Sequence, residues 1–139
     1  MNLHTVFIIY NSEGAIMRRK SVETALFARQ RAPLGQFILE GDGDPGSQYV
    51  DVTTKEIREK PAHPISQSAT TATADGSALV TFTGLLPNTV ASAFLDGELQ
   101  TVMTVAETVL DISFDTPGVY EIRVTHPRHL PARFTVVAT

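Results

Sequence analysis

The chain contains no cysteine and no tryptophan among its 139 residues. Without thiols there are no disulfides, no thiolate metal sites and no cysteine nucleophile, a composition that fits a reducing cytoplasm. Without tryptophan, the buried ring that packs on the inter-sheet disulfide of antibody domains is excluded together with that disulfide. Positive charge is also scarce, with 11 Lys and Arg against 15 Asp and Glu for a net charge of −4. The deficit lies in one half. Residues 1–62 hold eight basic and eight acidic side chains, whereas residues 63–139 hold three and seven. Such a half repels phosphate, and the basic run Arg18-Arg19-Lys20 would split its charges between the two faces of a strand, so no nucleic-acid partner is expected. No apolar run approaches the roughly 18–20 residues that span a bilayer, so no membrane partner is expected. Residues 1–5 place no basic segment before the short apolar run at 6–10, and no secretory leader is expected.

What the chain does contain is alternation punctuated by turns. Val119-Tyr120-Glu121-Ile122-Arg123-Val124 follows the turn Pro117-Gly118, and side chains of period two place Tyr120, Ile122 and Val124 on one face. A last alternating run, Phe134-Thr135-Val136-Val137, follows a loop over residues 126–131. Upstream, strands are expected over residues 66–73, 78–83, 89–95, 99–105 and 109–114, with Asp96-Gly97 as a type I′ hairpin turn. The result is a seven-strand, immunoglobulin-like antiparallel β-sandwich over residues 62–139. Its expected core is Leu79, Phe82, Leu85, Val90, Phe94, Leu110, Ile112, Phe114, Tyr120, Ile122, Val124, Phe134 and Val136. Lys60-Pro61-Ala62-His63-Pro64 removes two backbone donors and favours extended chain, marking a boundary. Before it, residues 1–61 form a smaller β-rich subdomain. Strands are expected at residues 6–10, 15–20, 36–40, 48–52 and 56–59, with one short helix over 21–31 capped by Ser21. The fold class is mainly β.

The search for chemistry finds little. Gly41-Asp42-Gly43-Asp44-Pro45-Gly46 places two carboxylates in a loop, but a calcium loop needs six to eight oxygen ligands and a downstream Glu, where Thr53 stands. Tight turns use the same residues. The four histidines, His4, His63, His126 and His129, could in principle form a metal site; His126 and His129 lie three apart, yet Pro127 and Pro131 prevent a helix that would align them, and no Asp or Glu follows within six residues to complete a ligand set. A surface loop is the reading taken, and no metal or other cofactor is expected. The alternative is a site on a symmetry axis with one histidine per subunit. There is no nucleophile elbow, no phosphate-binding glycine loop and no singled-out carboxylate pair, so no enzymatic activity is expected.

Several segments together resemble a known group. Tyr10-Asn11-Ser12-Glu13-Gly14-Ala15-Ile16, Gln36-Phe37-Ile38-Leu39-Glu40-Gly41, Tyr49-Val50-Asp51, Glu56-Ile57 and Lys60-Pro61 are joined by Gly84-Leu85-Leu86-Pro87-Asn88-Thr89-Val90, Asp96-Gly97 and Pro117-Gly118-Val119-Tyr120. Nearly the whole chain is similar to small structural proteins encoded among the tail and tail-fibre genes of tailed bacteriophages. Lys55 departs from the pattern, standing where a hairpin glycine is usual. The resemblance implies a virion component made in the host cytoplasm. It would dock in repeated, symmetric copies on other virion proteins at the tail, neck or fibre-attachment region. A capsid decoration protein and a host-surface carbohydrate- or receptor-binding sandwich are the alternatives. The docking surfaces expected are the cationic strand Arg18, Arg19 and Lys20, the edge bearing Ser66, Ser68 and Thr70, and the loop bearing His126, Arg128 and His129.

Overall fold

The computed structural model describes residues 3–139; Met1 and Asn2, the start of the segment read above for a leader, lie outside it. The chain divides into two compact units, Met1–Pro61 and Ala62–Thr139. Both are built from strands, so the chain is mainly β.

In the first unit, β1 (His4–Asn11) is the central strand of a three-stranded antiparallel sheet, flanked by β2 (Ile16–Glu23) and β3 (Gln36–Glu40). Its run Phe7-Ile8-Ile9-Tyr10 is buried throughout, because both faces of a central strand are covered. Ile8 and Tyr10 join Ile16 and Val50 in one cluster, while Phe7 stacks edge-on against Phe27 with ring centroids 5.4 Å apart. The β1–β2 turn is an Asx turn in which Asn11 Oδ1 accepts the backbone N–H groups of Glu13 and Ala15. Gly14 ends it at φ 87°, where a Cβ would fall 2.1 Å from the Val50 carbonyl oxygen. β4 (Gln48–Asp51) and β5 (Glu56–Glu59) form a separate hairpin. The expected helix over 21–31 is corrected. Residues 21–23 continue β2, and only Thr24–Arg29 coil, as a 3-10 helix. No side chain caps its start, and Phe27 is the one ring it brings to the sheet, too little apolar surface to hold a full α-helix.

The second unit is a two-layer sandwich. One sheet has the order β11 (Val109–Ser113), β8 (Leu79–Thr83), β6 (Ser66–Gln67). The other runs β10 (Glu98–Val105), β9 (Thr89–Leu95), β12 (Gly118–His126), β13 (His129–Ala138), β7 (Thr71–Ala72). This is the strand arrangement of an immunoglobulin-like sandwich, with the first strand divided between the layers. The continuous strand expected over 66–73 is thereby corrected. Ser66 and Gln67 pair antiparallel with β8, and Thr71 and Ala72 pair parallel with β13. Asp96 and Gly97 turn the β9–β10 hairpin with φ of 49° and 86°, as a type I′ turn requires. Between the layers lie Val80, Phe82, Leu85, Phe114, Tyr120, Ile122, Val124 and Val136. Burying each large side chain of this kind contributes about 1.5–3 kcal/mol. Tyr120 donates its hydroxyl hydrogen to the Thr116 carbonyl at 2.7 Å, forming a tyrosine corner at the start of its strand.

Two facings expected from the sequence are corrected. Leu79 is exposed, and its neighbour Val80 is buried in its place. In β9 the buried residues are Thr89, Ala91 and Ala93, whereas Val90 and Phe94 point to the outer face. The inward Ala91 and Ala93 lie beside Val124 and Ile122, their partners on the neighbouring strand β12, which supply the bulk on that face. Phe94 instead carries the Arg123 guanidinium 4.2 Å above its ring.

Candidate functional site

Three surfaces were expected to dock partners, and the fold treats them differently. Arg18, Arg19 and Lys20 are exposed on β2, an edge strand of the first sheet. Their faces alternate, as β2 pairs Arg18 with Ile9, Arg19 with Ile8 and Lys20 with Phe7. Arg19 is held by Asp42 in a forked ion pair, with Nη2 donating to Oδ2 at 3.0 Å and Nε to Oδ1. The hydrogen bond from Arg19, with its charge, keeps the Asp42 carboxyl below the usual range. Asp42 is thus a partner for a cation within the chain. Asp44 shapes its own turn by accepting from the Gly46 N–H and the Ser47 hydroxyl.

Ser66, Ser68 and Thr70 are exposed, but their backbone is committed. Ser68 N donates to the Thr81 carbonyl at 2.9 Å, and its hydroxyl oxygen accepts from Thr81 N. The Thr70 carbonyl accepts from Val137 N. A segment split into two-residue strands offers no long ladder to a neighbour.

The opposite flank of the sandwich offers one. β10 is the outer strand of its sheet, eight residues long, and its first seven residues are exposed. Its sequence, Glu98-Leu99-Gln100-Thr101-Val102-Met103-Thr104-Val105, has no proline and a single charge at its start. Leu99 and Val102 each keep 55% of their surface exposed. β11 is the outer strand of the other sheet, and only Ala106, Glu107 and Thr108 separate it from β10. Both layers therefore end side by side, with no further strand among the described residues paired to either. The gap between them is a hollow of about 170 Å³ whose lining includes Leu95, Thr101, Ile112, Phe114 and Tyr120. Sequence reading placed β10 correctly as a strand but missed its position at an edge, which depends on how distant strands pair.

The third expected surface is not a loop. β12 runs to His126 and β13 begins at His129, so only Pro127 and Arg128 turn the hairpin. This corrects the reading of residues 126–131 as an open docking loop. Arg128 is exposed and His129 half-buried, but His126 is only 5% exposed. His126 Nε2 lies 3.1 Å from the Pro87 carbonyl, which can only accept, so Nε2 carries the proton. Nδ1 then accepts the Arg128 backbone N–H at 3.1 Å. The Nδ1 atoms of His126 and His129 are also 3.1 Å apart.

A third imidazole joins them. His63 is 8% exposed, and its ring centroid lies 5.8 Å from that of His126 and 5.3 Å from that of His129. A parallel bridge between Ala62 and Leu130 lays the segment beside the hairpin turn. Gly84 allows the approach from the other side, since a Cβ there would sit 2.0 Å from the Pro64 carbonyl oxygen. Neither ring nitrogen of His63 has a hydrogen-bond partner, although both are buried. Burial first, and then the neighbouring His129 and His126, push its pKa below the ordinary histidine value. His129 is pushed the same way by burial and by Arg128. The sequence offers four histidines as a possible set, but no spacing in it singles out residue 63 with residues 126 and 129.

In the first unit, Tyr10, Ser12, Phe37, Val52 and Lys55 line an open hollow of about 280 Å³. Phe37 is half exposed there and packs on Tyr10 at 5.5 Å. No helix among the described residues is long and apolar enough to cross a membrane. No protein-family model matches the chain, and no curated protein matches it.

Proposed function

We propose that the chain is a structural adaptor of a tailed-bacteriophage virion, made in the host cytoplasm and joined in repeated copies to other virion proteins. It works through its surfaces and not by catalysis. The observation that carries this reading is the uncovered flank at β10 and β11. Edge strands are normally blunted by proline, lysine, bulges or covering loops, because unpaired N–H and C=O groups recruit other strands. β10 carries one irregularity, between Leu99 and Thr101, but has no proline or lysine, pairs regularly from Thr101 to Val105 and leaves apolar Leu99 and Val102 exposed. A neighbour's strand laid along β10 would pair its backbone groups and cover those side chains. Repetition around a symmetric particle lets such modest contacts hold together. The resemblance of the turn and strand pattern to tail and tail-fibre proteins supplies the kind of particle.

Mass spectrometry of purified particles from cells that produce the chain tests the proposal, with Val102→Lys run in parallel. The chain is expected in the particles. The lysine variant should keep its circular dichroism but be lost from them, because the charge blunts the edge. Particles devoid of the wild-type chain, or equal incorporation of both, would overturn the reading. A host-glycan-binding role has one observation in its favour, the exposed Phe37 ring beside Lys55. It predicts that Phe37→Ala abolishes retention on host-surface polysaccharide without affecting incorporation.

A further inference from the structure

We infer that His63, His126 and His129 form a three-histidine binding site for a divalent transition-metal ion, with zinc as the ion of reference. The site lies within residues 62–139 and stands independently of the virion reading.

The spacing supports it. With zinc–nitrogen bonds of about 2.0–2.1 Å, two ligand nitrogens on a tetrahedral ion are about 3.3 Å apart, and imidazole centroids about 5.2 Å apart. The Nδ1 atoms of His126 and His129 are 3.1 Å apart. The three centroid separations are 4.8, 5.3 and 5.8 Å.

The supporting bonds agree with a ligand role. Metal-binding histidines typically donate their second ring N–H to a carbonyl or carboxylate, which fixes the tautomer and aims the other nitrogen at the ion. The Pro87 carbonyl does this for His126, leaving the Nδ1 lone pair facing His129. Metal binding there would give up both bonds to His126 Nδ1: the one from the Arg128 N–H, a group on an exposed turn that water can satisfy, and the one from His129 Nδ1, whose proton would move to its Nε2.

His63 is the completing ligand. A buried ring whose two nitrogens both lack partners is an unstable arrangement unless something binds it. Among the described residues, no three His, Cys, Asp or Glu side chains are placed so that they could hold a metal ion as they stand. The site is therefore closed on binding, by a turn of the His63 ring, which breaks no hydrogen bond. With no thiolate or carboxylate in the set, the donors suit zinc, nickel, copper or cobalt rather than calcium or magnesium. Three imidazoles leave one tetrahedral position for water or an outside donor.

The test uses the full chain, stripped with a chelator and re-exposed to zinc or cobalt. One zinc per chain is expected by elemental analysis, together with a melting temperature that climbs with zinc concentration. Cobalt should give the visible absorption of a tetrahedral ion with nitrogen ligands. His63→Phe and His129→Gln should each weaken zinc binding by more than about tenfold, the loss that even changes to supporting groups can produce. The metal-free melting temperature of His63→Phe should not fall, since an unpaired buried ring is replaced by an apolar one, and His4→Ala should bind as the wild type does. Zinc uptake below one per chain, or uptake unchanged in both His63→Phe and His129→Gln, would overturn the inference.

Discussion

Tyr120 combines two stabilising contributions that substitutions can separate. Its ring is 6% exposed and packs on Phe114 at 4.5 Å, while its hydroxyl bonds to the Thr116 carbonyl. Tyr120→Phe removes only the hydrogen bond and should cost about 1 kcal/mol. Tyr120→Ala also removes the ring and should cost about 3–5 kcal/mol. Urea denaturation of both variants checks the pair, and equal losses would mean that the corner bond, not the ring, dominates. His63 makes a different residue-scale prediction. Its folded pKa lies below that of the unfolded chain, so the unfolded state takes up the proton first as pH falls. The stability tied to a neutral His63 is therefore complete above about pH 6.5. It is lost as the pH drops from there through the depressed folded value. Burial is the larger cause, and the neighbouring His129 and His126 push in the same direction. Metal-free His63→Phe should show a shallower decline across about pH 7 to 5, with the remainder due in part to His129. An identical slope in the variant would contradict the burial argument.

At the scale of elements, the glycine that admits the 62–65 segment is as decisive as the strands. Gly84 has φ 80°, and an added Cβ would meet the Pro64 carbonyl at 2.0 Å. Gly84→Ala therefore combines a left-handed backbone with a clash and should cost more than about 1–3 kcal/mol, the range for backbone strain alone. It should also move Pro64 and His63 away from the hairpin. Thermal unfolding and the ring-proton resonances of His63 would report both effects, and a variant that melts with the wild type would contradict the geometry. Turns of this kind made much of the fold legible in the sequence. Asp96-Gly97, Pro117-Gly118 and Asn11-Ser12-Glu13-Gly14 bracket their strands, and Lys55, where a hairpin glycine was usual, takes φ 58°. Period-two alternation placed Tyr120, Ile122 and Val124 inward. In β9 the alternation held but the inward face was the other one, since Ala91 and Ala93 are buried while the bulkier Val90 and Phe94 face outward. Partnering was less legible than strand identity. That residues 66–73 divide between two sheets, that β10 is an edge, and that His63 reaches His126 and His129 all depend on pairings across long stretches of chain.

For the whole molecule, the two units differ in how much core each owns. The second has twelve buried apolar residues in one cluster, with Ile65, Leu110, Ile112 and Phe134 packed against it. The first has a cluster of four, Ile8, Tyr10, Ile16 and Val50, supported by Leu39 and Ile57, within 61 residues. Conformational entropy grows with every ordered residue, whereas apolar burial grows with core size, so the smaller unit has less to set against its ordering cost. Residues 62–139 expressed alone should therefore fold, with a β-type circular dichroism spectrum, dispersed amide resonances and a single cooperative melt. Residues 1–61 alone should melt at a much lower temperature or show no transition. The larger fragment should also retain zinc binding, because all three histidines lie within it. A fragment 62–139 with collapsed amide dispersion would mean that its buried cluster does not suffice as a core. A fragment 1–61 as stable as its partner would mean that six buried apolar side chains, Phe7 and Ile9 besides the cluster of four, contribute more than their area implies.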